Sequence, residues 1–504
     1  MKGRSRVMGL ACALVFLSFV CAWAEGLPGS VTAVPTAVPV FIGHTEKMPE
    51  NVMEPVSVSN MAEYVALFGG APVLGFSLEE KGAGSPDASD VVLNGKSFSL
   101  TQSSERYILY RSLELFFQNG GGPCSIVSVG DYSDAVETEG LIRGLGALSG
   151  EDGPTLVVIP EAVLLDGAGC SAVQQAALRR CAEPGRSRFA ILDVRGGDRP
   201  SSDSSADCIT AFRDGIGSAD LGLGAAYYPW LNTSVVQERD LGFENLTPLS
   251  LLQRLLTEEL SQGRGEASAA ESGAMASVIS KMTSPLLTHA EKTGINNALV
   301  AESPLFNTLF KAMKERANLL PPSGAVAGAY AMTDNSRGVW QAPANISLNS
   351  VCSPAVTVSG DRQEFLAIPP DGLSVNAIRA FPGEGTLIWG ARTLDGNSPD
   401  WRYVNVRRTV MMIEASITEA LKGCASKPNT PATWGKVTPL IRHFLMDLWK
   451  EGGVAGADPD DAFNITVGAS DVDAGMMRVV VKVAVSRPGQ FIPITMDVRT
   501  GASE

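Results

Sequence analysis

Three histidines, His44, His289 and His443, are the only imidazole bases in this 504-residue chain. A hydrolytic triad would need one of them between a carboxylate and a hydroxyl nucleophile, each within hydrogen-bond reach. Asp193 lies near the end of the apolar run Phe189-Ala-Ile-Leu-Asp-Val194, where a triad aspartate could stand. His289 lies in Leu286-Leu-Thr-His-Ala-Glu291, which reads as helix or loop and has no flanking glycine. Ser272-Gly-Ala-Met-Ala-Ser277 is only a faint serine motif. The pieces do not combine, so Asp193 reads as a hydrogen-bonded residue at a strand end. No catalytic residue is assigned, and the chain is not expected to be an enzyme.

Other chemistries fare no better. Gly120-Gly-Gly122 precedes an apolar run, whereas a phosphate cradle follows a strand and opens a helix. Metal-ligand spacing is absent, since the histidines are few and far apart. No metal, cofactor or small-molecule substrate is expected. Arg379, Arg392, Arg407 and Arg408 could hold an anion, but such arginines more often satisfy carbonyls and carboxylates in a domain seam. Trp340, Trp389, Trp401, Trp434 and Trp449 have apolar neighbours and read as core packing. A net charge of −14 argues against a nucleic-acid partner.

The elements that position these residues alternate in type. Val38-Pro-Val-Phe-Ile42, Ser125–Val129, Leu156–Ile159 and Phe189–Val194 are short apolar runs. Helical spacing at Tyr107, Tyr110, Leu113 and Phe117, and a helix over about Ser171 to Cys181, separate them. Such runs indicate a mainly parallel sheet covered on both faces. Residues 240–320 read as mostly helical, an insertion on the outer surface, and Gly82–Asp90 is a loop on composition. Val410, Ile413, Ile417 and Leu421 line one late helix. Val437, Leu440, Ile441, Phe444, Leu445, Leu448 and Trp449 line another, with Thr433 as its cap and Gly452-Gly453 as its stop. Val479, Val481, Val483 and Val485, then Ile492, Ile494, Met496 and Val498, alternate as half-buried strands. Pro493 lacks a backbone donor, which confines the last strand to an edge or bulge.

Two blocks carry a family resemblance. The first is Pro321-Pro-Ser-Gly-Ala-Val-Ala-Gly328, followed by Tyr330-Ala-Met-Thr-Asp334 and Arg337-Gly-Val-Trp340. The second is Ile388-Trp-Gly-Ala-Arg-Thr-Leu394, followed by Trp401-Arg-Tyr-Val-Asn-Val-Arg-Arg408. With Val34–Glu46, Phe116–Gly122, Tyr227-Tyr-Pro-Trp230 and Arg487-Pro-Gly-Gln-Phe-Ile492, they make the chain resemble the sheath proteins of contractile phage tails and related injection systems over about residues 33–500. The resemblance implies an α/β (α+β overall) layered fold. It would have a mainly parallel, subtilisin-like middle domain, an α+β C-terminal domain and a smaller inserted outer domain. The expected divisions are an arm and first strand at 25–46, an outer segment at 47–104, the middle domain at 105–345, the C-terminal domain at 346–487 and an edge strand or arm at 488–504. It implies a homopolymer of stacked rings around an inner tube, meeting a baseplate, that shortens to drive injection. Subunits would join by strand exchange, and Phe491, Ile492, Ile494, Met496 and Val498 are the expected contact residues.

The amino terminus departs from that pattern. Lys2, Arg4 and Arg6 precede the apolar run Val7–Cys21, and Ala22-Trp-Ala24 is a small-x-small cleavage site. Residues 1–24 therefore read as a signal peptide, which suggests export to the periplasm or cell exterior, and a non-contractile exported relative is the alternative reading. Beyond that segment, Cys124, Cys170, Cys181, Cys208, Cys352 and Cys424 are scattered and name no disulfide.

Overall fold

The computed structural model describes residues 29–49, 53–81, 91–102, 106–148, 153, 155–185, 187–201, 207–262, 269–471, 473 and 475–501. The signal reading of 1–24 and the loop at 82–90 lie outside these residues.

The larger core is built on a nine-stranded sheet. Its strands are β1 (Pro39–Thr45), β2 (Val56–Val58), β3 (Cys124–Asp131), β4 (Leu156–Val158), β5 (Phe189–Asp193), β6 (Gly224–Tyr228), β7 (Ile346–Ser347), β8 (Val375–Phe381) and β9 (Gly385–Ile388). They lie in the order β7-β9-β8-β6-β5-β4-β1-β3-β2. The central run from β8 to β3 is parallel throughout, and β2, β9 and β7 add antiparallel at its margins. Every residue of β1, β5 and β6 is buried, as a sheet covered on both faces requires.

The Pro-Ser-Gly-Ala-Val-Ala-Gly block explains itself here. It opens the helix Ser323–Arg337, whose residues from Ser323 to Ala331 are all buried. Gly324 and Gly328 face the helix Leu109–Gln118. A Cβ at those positions would sit 2.3 Å from the Ser112 carbonyl oxygen and 2.4 Å from that of Phe116. Glycine at i and i+4 is what lets the two backbones touch.

Two stretches separated in sequence combine at the side of this core. Strands Phe76–Glu80, Val91–Leu93 and Lys96–Gln102 form a sheet with Leu246–Thr247. The helices Leu249–Gln262 and Pro304–Ala317 pack against it, with Leu252, Phe306, Leu309 and Met313 buried. Arg254 pairs with Glu80 at 3.1 Å, and Asn94 donates to the Leu255 carbonyl. The helices Leu249–Gln262 and Pro304–Ala317 thus contribute to the core of the outer segment.

The second core forms from the helices Val404–Leu421 and Pro431–Lys450 and a three-stranded antiparallel sheet. Its strands are β10 (Phe463–Ala469), β11 (Met476–Val483) and β12 (Ile492–Arg499), in that order. The division between the cores falls near residue 400, not 346, because β8 and β9 belong to the large sheet. Thr433 is not the helix cap. Thr430 stands at that position, and Pro431, whose fixed φ suits the first helical residue, sets the start. Thr433 Oγ1 instead donates to the Pro428 carbonyl at 2.7 Å.

Candidate functional site

In open α/β sheets, ligands bind beyond the carboxyl ends of the parallel strands. This chain places His44, Asp131 and Asp193 at those ends of β1, β3 and β5, with Glu161 just after β4. Three of these four are used up internally. His44 and Glu161 are 3% and 0% exposed, and His44 Nδ1 lies 2.7 Å from Glu161 Oε2. The same oxygen accepts the His44 backbone N–H at 3.0 Å. Burial alone lowers the His44 pKa, but the hydrogen bond and charge of Glu161, with Asp134 and the Ala135 carbonyl, outweigh it and leave it raised. Asp193 Oδ1 accepts the Ser323 N–H at 2.8 Å, at the start of the Ser323–Arg337 helix. Burial pushes this carboxyl up to about 7, and hydrogen bonding from Ser323 offsets that only in part.

His289 begins an outer helix and His443 is exposed on the Pro431–Lys450 helix, paired at 3.5 Å with Asp447. No group of side chains among the described residues has the makeup of a metal site. The four arginines do not converge on an anion. Arg379 donates to Gln363 Oε1, Arg392 to the Gly396 carbonyl, and Arg408 to Asp334. Arg407 lies over the Trp401 ring at 4.4 Å. Burial lowers its pKa, against the pull of Glu414. Trp340, Trp401, Trp434 and Trp449 pack on the second core, and Trp389 against Phe381.

The three-stranded sheet is built differently. Ala484 N–H donates to the Ala462 carbonyl, which fixes the phase of the β10–β11 ladder. Backbone bonds alternate along an antiparallel pair, so Asn464, Thr466 and Gly468 face β11, and Ile465 and Val467 turn their N–H groups outward. Lys482 then faces β10, and Pro493, opposite Lys482 on the other side, turns away from β11. Its missing donor falls on the free edge, where a proline is tolerated. At the far end of β12, Gly501 N–H donates to the Lys427 carbonyl at 2.8 Å. Among the described residues no strand pairs with the outer edge of β10.

The expected contact residues turn inward. Ile492, Ile494 and Met496 are 4%, 4% and 6% exposed in the second core, with Val498 packed on its margin and Phe491 half-buried. In this state Ile492, Ile494 and Met496 of β12 are packed in the chain's own second core. β12 completes the chain's own sheet, because its alternating apolar residues fit the pocket under β11. Sequence reading did not mark β10 as a strand, and it offers an open edge.

These features define a class: a layered α/β core joined to an α+β domain with open strand edges, the fold of contractile sheath proteins. A profile of the phage tail sheath C-terminal domain matches residues 397–499. This C-terminal part of the chain is thus similar to the phage tail sheath proteins. A protein of Pseudomonas aeruginosa provisionally named a prophage major tail sheath protein is 29% identical over 154 residues, 29% of this chain and 38% of that one. The tail sheath protein of Vibrio phage KVP40 is 24% identical over 143 residues, 28% of this chain and 21% of that one. The match thus spans well under half the length of either relative. Among solved structures, a chain of the anti-feeding prophage baseplate is 25% identical with a TM-score of 0.55, covering 93% of this chain and 94% of that one. The contracted PVC sheath of an extracellular contractile injection system is 23% identical with a TM-score of 0.57, covering 98% of both chains.

Proposed function

We propose that this chain is a structural subunit of a contractile sheath, which polymerises around an inner tube on a baseplate and shortens to drive injection. The supporting observation is the contrast in sheet edges. The large sheet ends in strands of two and three residues, β7 and β2. The small sheet ends in strands of seven and eight, β10 and β12. Long uncovered edges are a template for another chain, and folds that stay monomeric blunt them. Subunits join by strand exchange through β12. Ile492, Ile494 and Met496 leave their pocket and enter the identical pocket of a neighbour, with Phe491 and Val498 flanking them, so no packing is lost in the swap.

The pair Arg478–Asp497 tests this. The two residues are opposite each other across β11 and β12, at a position without ladder hydrogen bonds, where side chains are closest. Replacing both with cysteine locks β12 at home when oxidised. Electron microscopy of the purified chain should show tubes when the lock is reduced and none when it is oxidised. Tubes of normal length from the fully oxidised protein would defeat strand exchange.

A second reading has its own observation, the basic–apolar–small-x-small order of residues 1–24. In it the chain is exported and serves the envelope or exterior without contracting. A periplasmic form starting at Glu25 supports it, and a cytoplasmic form retaining Met1 removes it.

A further inference from the structure

Residues 31–38 cross from one core to the other. Val31 is buried in the second core and Val34 packs on it, while Ala37 packs on the first and Val40 is buried there. Val34 N–H donates to Ser416 Oγ at 3.0 Å, and Val38 N–H to Thr155 Oγ1 at 3.0 Å. Between them, Thr36 is gripped from three sides. Its hydroxyl donates to Asp334 Oδ2 at 2.6 Å, and its carbonyl accepts from Thr155 Oγ1 at 2.6 Å and from Arg408 Nη2 at 2.9 Å. Arg408 forks onto Asp334 at 3.0 and 2.6 Å. Both side chains are almost fully buried. The guanidinium also lies 4.9 Å over Tyr330, whose hydroxyl meets that of Tyr227 at 2.7 Å.

A buried ion pair contributes little net adhesion, because desolvation offsets its attraction. A planar fork does fix direction. Here it ties the Val404–Leu421 helix to the Ser323–Arg337 helix and closes over the passing chain. We propose that Arg408, Asp334 and Thr36 form a clasp that fastens the amino-terminal segment to both cores, so that load on that segment is borne by the two together. The load-sharing clause rests on the polymer reading above; the clasp itself does not.

Hydrogen exchange on the full-length chain tests the clasp. In Arg408→Gln and Asp334→Asn, exchange at the Val34 and Val38 amides should rise about tenfold or more, the scale of a lost charged hydrogen bond. Amides of β5 should keep their protection. Arg408→Lys restores charge without the fork and should stay loose. Thr36→Val removes only the hydroxyl and should raise exchange about threefold; it decides the matter if the charge variants do not fold. Unchanged exchange at Val34 and Val38 in Thr36→Val, or an equal rise in β5, overturns the clasp. Polymers of Arg408→Lys chains should break to shorter lengths than wild type after a fixed shear, and equal lengths overturn load sharing. Wild-type chains that form no polymer would defeat the sheath reading while leaving the exchange result standing.

Discussion

The two sheets of this chain solve opposite problems. The nine-stranded sheet has a parallel interior buried on both faces and closes itself with short antiparallel strands. The three-stranded sheet buries one face and leaves long margins. The first can only be a body. The second can be completed by another molecule. The polar residues divide in the same way. At the ends of the parallel strands His44 and Asp193 are held by internal partners, whereas Thr495 and Arg499 of β12 face solvent and remain accessible.

The sharpest way to break this contrast is one substitution on each kind of margin. Val467→Pro removes an outward donor from β10 without touching its ladder to β11. Polymers should disappear while the monomer stays folded by circular dichroism. Ser57→Lys, on the short margin strand β2, should leave polymer yield unchanged. Normal tubes from Val467→Pro would show that β10 accepts no partner. Next in size is Ile494→Ala. It empties part of the second core and should cost about 4 kcal/mol in denaturant unfolding, within the usual range for such truncations. If β12 swaps into an identical pocket, the polymer should weaken along with the monomer. A destabilised monomer with undiminished polymer would mean that β12 never moves.

His44→Gln probes the closed end of the large sheet. The imidazole faces Glu161, Asp134 and the Ala135 carbonyl, near Asp131, with Tyr107 tilted against it. Its folded pKa lies above the ordinary 6.5. Its stabilisation is therefore complete below pH 6.5 and fades as pH rises through the higher folded value. The variant should lose about 2 kcal/mol near pH 6, less than outright loss of a buried partner because the amide still donates. The gap to wild type should narrow in alkali. A gap that is constant with pH would show that the pair is uncharged.

Much of this was legible in the sequence. Apolar runs gave the parallel strands, since burial on both faces leaves no other composition. Asp193 as a hydrogen-bonded strand-end residue, and Arg408 in a seam, followed from their types and places. Their partners did not. Glu161 lies 117 positions from His44, and Thr36 lies 372 from Arg408. No local pattern encodes such pairings. β10 escaped notice because Phe463-Asn-Ile-Thr-Val-Gly-Ala ends in weak strand formers. The inward turn of β12 is a question of which sheet receives it, and alternation alone is silent on that.

The smallest predicted effect bears most directly on chemistry. Asp193 is the one carboxyl that a hydrolytic reading would need, and it sits buried with its pKa raised from 3.8 to about 7. A raised acid binds its proton more tightly when folded. Its contribution is thus greatest below pH 3.8 and is lost as pH rises through about 7. Asp193→Asn keeps an oxygen for the Ser323 N–H and carries no charge to bury. Above pH 8 the variant should match wild type or exceed it by about 1 kcal/mol, the sign expected when a desolvated charge is removed. Its stability should also vary less between pH 4 and 8. Polymer yield should be untouched. A catalytic aspartate would instead lose function on this change at every pH, and a carboxylate acting as an essential cap would lose stability most in alkali. The first outcome would move Asp193 out of the scaffold and place chemistry at the end of a buried parallel strand; the second would keep it in the scaffold as a charged cap for the Ser323 N–H.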